Sequence, residues 1–132
     1  MVASNPIDEA LRYLNNAKVL LSEKANKEDG FYLDPKYVKM AGHTAYVGVL
    51  MALDVHFGKK TKGRKSVDWY LGHLTNTDRK LLHTFNAAYD TLHLAMAYDG
   101  NPDAKVAAAG LERAEYIINW VASRAASVNT AT

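Results

Sequence analysis

The stretch YVKMAGHTAYVGVLMALDVHF, Tyr37 to Phe57, decides the fold. It is the most apolar long run of the chain, with no proline or charge between Met40 and Leu53. Small residues (Ala41, Gly42, Ala45, Gly48, Ala52) sit among large ones (Met40, Tyr46, Val49, Leu50, Leu53). Small side chains let helix axes approach closely, so the mixture predicts a central, buried helix. Asp34 and Pro35 supply a cap and a first helical residue, and Gly58 is placed to end the helix as a left-handed C-cap.

Upstream, Asn5 caps a first helix, Pro6 takes its first position, and Asp8 and Glu9 complement its positive end. Ile7, Leu11, Leu14 and Leu21 recur at helical spacing, widened by Ala10, Ala17 and Leu20. Lys24 to Leu33 breaks the pattern at Gly30 and reads as a loop.

Downstream, KKTKGRK places Lys59, Lys60, Lys62, Arg64 and Lys65 together without an acid. Such a loop suits nucleic-acid phosphates. It equally suits a solvated turn, part of which complements the preceding helix end, and no aromatic residues interleave the charges for base stacking. Its glycine spacing is not that of a P-loop. Ser66 caps a short helix that buries Trp69, Tyr70 and Leu74. Thr77 or Asn76 then caps a long helix from Asp78 to Asp99, with Leu81, Leu82, Phe85, Ala88, Tyr89, Leu92, Ala95 and Met96 on its apolar face. Asn101-Pro102-Asp103 repeats the pattern of cap, proline and acid, opening a last helix to about Arg124. Val106, Ala109, Leu111, Ala114, Ile117, Ile118 and Val121 form its apolar face, with Trp120 at an edge. The tail ASVNTAT is expected to fray.

No segment alternates with period two, and no hairpin dipeptide sits between apolar runs. The expectation is an all-α, antiparallel up-down bundle of four long helices and one short one, a single domain with its core over about residues 6–124. A length of 132 residues suits one domain, and a hydrophobic content of 48% suits a core without staples. Cysteine is absent, which removes disulfides and thiolate chemistry. A net charge of +2 is too weak to imply nucleic acid by itself. The N-terminal residues lack a basic region followed by an apolar stretch, so no signal peptide is expected. The central run is too short to span a membrane, and the protein reads as cytoplasmic.

Five histidines are candidates for chemistry: His43, His56, His73, His83 and His93. The di-metal bundle pattern needs two Glu-x-x-His copies, and only Asp90 precedes His93 at that spacing. No metal or cofactor is expected, and each histidine reads as a satisfied, buried or half-buried imidazole. Glu112 and Glu115 flank Arg113 and read as surface pairing. Ser22 and Ser66 show no triad partners. Eight tyrosines suit buried polar layers with the histidines or a homodimer interface more than a ligand pocket.

The helix from Ala41-Gly42-His43-Thr44-Ala45-Tyr46 through Ala52-Leu53 resembles that of HEPN-type bundles, as does the spacing of the closing helix from Ala114 to Val121. The chain also resembles a small family of uncharacterised helical proteins from Bacteroidetes, a domain of unknown function. Active HEPN ribonucleases carry an Arg, then four to six intervening residues, then a His. Here Arg79 precedes His83 with three residues between, one short of that pattern, and Asp78 holds the arginine's place. Arg79 and His83 still share a helix face. The resemblance implies a non-catalytic interaction or scaffold domain acting as a homodimer. The alternatives are RNA binding through the basic loop, or a metal-independent ribonuclease with His83 as acid–base group and Arg79 on the phosphate.

Overall fold

The computed structural model describes residues 5–58 and 65–131, and the side chains up to residue 125. Helix α1 spans Pro6–Val19 and continues as a π-helical turn, Leu20–Lys24. Asn5 caps it, its side chain accepting from the Asp8 N–H at 2.9 Å. Its buried positions are Ala10, Leu14, Ala17 and Leu21, while Leu11 is turned out. The stripe is thus centred on the alanines, which lets α1 lie close to its neighbours.

Helix α2, Pro35–Phe57, is the buried spine. Asp34 caps it, and Gly58 ends it at a φ of 77°, a value glycine adopts without strain. It packs on α1, on α5 (Ala104–Ala131) and on the π-helical segment Tyr89–Tyr98. The small residues produce these contacts. A Cβ built on Gly42 would lie 2.6 Å from the Leu92 carbonyl oxygen, and one on Gly48 would lie 3.0 Å from that of Ala10.

Ser66 caps α3, Val67–Thr75, in which Tyr70 and Leu74 are buried and Trp69 is half-buried. Asp78, rather than Thr77 or Asn76, caps α4, Arg79–Ala88, accepting from the Leu81 N–H at 2.8 Å. The hydroxyl of Thr77 instead donates back to the His73 carbonyl. The long helix expected to Asp99 is α4 followed by the π-helical segment. Thr91 Oγ1 donates to the carbonyl of Ala87 at 2.7 Å at the start of that segment, an interaction that bends helices. Leu81, Phe85, Ala88, Leu92 and Met96 are buried along it.

The loop expected at Lys24 to Leu33 contains a two-stranded antiparallel sheet, β1 Lys27–Glu28 and β2 Phe31–Tyr32. Asp29 and Gly30 turn it with φ of 52° and 83°, the pair of positive values a two-residue hairpin turn needs. The strands are too short to show alternation, so only the Asp-Gly pair marks them. The hairpin also changes the start of α5. The Tyr32 N–H donates to the Pro102 carbonyl at 2.8 Å, and the Ala104 N–H to that of Gly30 at 2.9 Å. The Pro102 carbonyl is therefore spent on an edge contact, and the Asn101 side chain accepts from the Asp103 N–H at 3.0 Å. Asp103 takes the start of α5, accepting from the Lys105 N–H at 2.9 Å. Helix α5 extends to Ala131. The side chains of the tail expected to fray lie outside the described residues.

Candidate functional site

Arg79 and His83 stand one turn apart at the start of α4 and line the same shallow groove, about 500 Å³ in volume. Lys80, Thr84, Ala87 and, from α5, Arg113 complete it. The groove continues past Lys80, Thr84 and Arg113 to Glu112 and Tyr116. Lys80 Nζ lies 4.9 Å from the centre of the Tyr116 ring, a favourable place for a cation. The Asp78 carboxylate beside Arg79 is occupied by the helix end. No ion pair among the described residues involves Arg79, Lys80 or Arg113. Three cations and an exposed imidazole thus surround an open groove that has no carboxylate between Arg79 and Ala87. Sequence spacing linked Arg79 to His83. It missed Arg113, because the pairing of α4 with α5 is a tertiary contact, and it passed over Lys80, which adjoins Arg79 in sequence.

The expected pairing of Arg113 with Glu112 and Glu115 is not formed. Glu115 instead accepts from Lys18 of α1 at 3.0 Å. This ties α5 to α1 on the opposite flank and leaves Arg113 to the groove.

Of the basic loop, Lys59, Lys60, Lys62 and Arg64 lie outside the described residues. Lys65 is described, and its side chain is 2% exposed. Its ammonium donates to Asp54 Oδ1 at 2.9 Å and lies 4.9 Å from the centre of the Trp69 ring. The Tyr70 hydroxyl donates to the same oxygen at 2.8 Å. Burial, and then the Asp54 carboxylate, push the Tyr70 phenol well above the usual tyrosine range. Lys65 is therefore held inward, anchoring α3 to the end of α2.

Around that anchor lies a group of rings. Phe57 stacks on His73 at 5.1 Å, and Trp69 meets His73 at 4.2 Å. His56 meets Trp120 of α5 edge-on at 4.8 Å, and the Arg124 guanidinium lies 3.5 Å from the Trp120 ring centre. Burial, with Arg124 nearby, lowers the His56 pKa. His56, Phe57, Trp69 and His73 flank the basic loop in sequence, whereas Trp120 is brought to them by the packing of α5 on α2.

The histidines differ from expectation. His43, His56, His73 and His83 are exposed. His93 is half-buried, and its Nδ1 is buried without a hydrogen-bond partner among the described residues. It sits 5.0 Å from Tyr46 and 5.1 Å from Tyr89, ring centre to ring centre. This is a layer of tyrosine and histidine, held by ring packing rather than by satisfied imidazole nitrogens. Burial, aided by Tyr89, pushes the Tyr46 phenol up to about 12. Among the described residues, no three His, Asp or Glu side chains converge as metal ligands, and no helix is long and apolar enough to cross a membrane.

Fold and groove define an all-α bundle with a small hairpin and a cationic groove between α4 and α5. The chain belongs to the family described as Domain of unknown function (DUF5618), whose model matches residues 5–123. It is similar to a solved protein of unknown function from Dyadobacter fermentans, at 61% identity and a TM-score of 0.87, covering 94% of this chain and 99% of that one. No match was found among curated proteins.

Proposed function

We propose that this protein is a non-catalytic, HEPN-like module that binds RNA, with the phosphate backbone seated in the groove between α4 and α5. One observation carries the proposal: Arg79, Lys80 and Arg113 surround one groove without ion-pair partners among the described residues. Arginine and lysine in such a setting neutralise phosphates and release counterions, and the planar arginine fork matches phosphate oxygens. Binding is favoured over cleavage because, among the described residues, His83 is the one imidazole or carboxyl group beside Arg79, Thr84 and Ala87, with Glu112 further along past Arg113. Acid–base cleavage of a phosphodiester calls for proton transfer at both the attacking and the leaving oxygen. The cytoplasmic placement belongs to the same proposal. Fluorescence anisotropy with a labelled RNA oligonucleotide tests it. Arg79→Glu with Arg113→Glu should abolish binding while the helical circular-dichroism spectrum is kept. Unchanged binding would refute the groove's role.

A homodimer is the second reading. Its support is Tyr98, 78% exposed, with exposed Leu94 four residues before it on the same π-helical segment. Tyrosine at such a place suits an interface. Light scattering should report twice the chain mass, falling to one chain mass in Tyr98→Glu. A monomer at all concentrations would refute this reading.

A further inference from the structure

We infer that the rings at the end of α2, α3 and α5 form a stacking platform for unpaired bases, so that the ligand of the groove is single-stranded nucleic acid. This rests on the groove as a phosphate site and specifies which nucleic acid it takes.

Helix α5 joins the two regions. Arg113, Tyr116, Trp120 and Arg124 follow at spacings of three, four and four, which places them along one flank of the helix. At a rise of ~1.5 Å per residue, that flank runs ~16 Å from the groove to the ring cluster. Two rings, Tyr116 and Trp120, lie between two cations, Arg113 and Arg124, and each ring has a cation against it. Lys80 lies over Tyr116, and Arg124 lies over Trp120. Beyond Trp120 come His56, then Phe57 and His73.

A cluster that only closed the core would bury its rings. Here the two imidazoles, His56 and His73, are exposed. Lys65, paired with Asp54, lies against the Trp69 ring, and Trp69 in turn meets His73. A charged track with aromatic stations is how proteins hold single strands, because every base presents a π-face once unpaired. A duplex keeps those faces hidden and would engage only the cations.

The chain has two tryptophans, Trp69 and Trp120, and both belong to the platform. Intrinsic fluorescence therefore reads the site directly. Wild-type protein is titrated with single-stranded oligo-uridylate, single-stranded oligo-thymidylate, a duplex of the same length, and base-free polyphosphate. Single strands should quench the tryptophans, whereas polyphosphate should bind without quenching. His56→Ala with His73→Ala, both at exposed positions, should weaken single-strand binding ~10-fold, the order of one lost stack. It should leave polyphosphate binding unchanged. Single-strand binding with neither quenching nor sensitivity to the histidine pair would overturn the platform and leave the groove standing. Duplex binding as tight as single-strand binding would also overturn it. No binding of any polyanion would remove the groove and the platform together.

Discussion

The Lys65 ammonium and the Asp54 carboxylate meet at 2.9 Å, with the lysine side chain almost wholly shielded from water. Tyr70 donates to the same carboxylate oxygen. Removing one member of a shielded pair leaves the other charge unsolvated. Asp54→Ala should cost about 2 kcal/mol, since Asp54 itself keeps some solvent contact and this moderates the loss. Lys65→Met keeps the stem over Trp69 and should cost less. Urea unfolding of the two variants checks the order.

Gly42 and Gly72 should respond in opposite directions to alanine. A Cβ on Gly42 would meet the Leu92 carbonyl and Met96 Cβ at 2.6 Å and the Ala97 nitrogen at 2.8 Å, so backbone must move. The cost should be about 2 kcal/mol or more, beyond the gain in helix propensity. Around Gly72, inside α3, nothing lies within 4 Å. There alanine should stabilise by about 0.5–1 kcal/mol. Thermal melts of both variants decide the matter.

Tyr46 and Tyr70 link stability to alkaline pH. Their folded pKa values are raised, Tyr46 to about 12, whereas an unfolded tyrosine titrates near 10. Above that value the unfolded chain releases protons that the folded one keeps. Stability should therefore be level below pH ~10 and fall as pH rises towards ~12. Denaturant midpoints at successive pH values give the curve. Replacing Tyr46 with Phe should flatten it.

Much of the fold could be read from sequence because its signals are local. Asn5-Pro6 and Asp34-Pro35 start helices where their chemistry says, and Ser66 caps α3. The same pattern at Asn101-Pro102 was misleading, because the hairpin of β1 and β2 takes the Pro102 carbonyl. The π-helical segment was invisible, since Leu81, Phe85, Ala88, Leu92 and Met96 fit a helix of either pitch. In the candidate site, Arg79 and His83 were legible as neighbours four apart. Arg113 was not, because only the packing of α4 on α5 brings it there. Nor could sequence order show that Trp120 closes on His56.

His83 separates binding from cleavage. If the groove only binds, incubating RNA with the protein and a chelator should yield no fragments, and His83→Ala should change affinity slightly. Fragments that vanish in His83→Ala would establish a metal-independent ribonuclease in place of a binding module. Denaturing gels of labelled RNA read either result.

Salt dependence of RNA affinity tests the central claim most directly. For single strands, log K falls with log salt by about 0.7 for each phosphate neutralised. With Arg79, Lys80 and Arg113 engaged, the groove should contribute a slope of about −2. Arg113→Ala should reduce the measured slope by about 0.7 and weaken binding uniformly across RNA sequences. An unchanged slope in Arg113→Ala, or affinity independent of salt in the wild type, would contradict the assignment of this groove to the phosphate backbone.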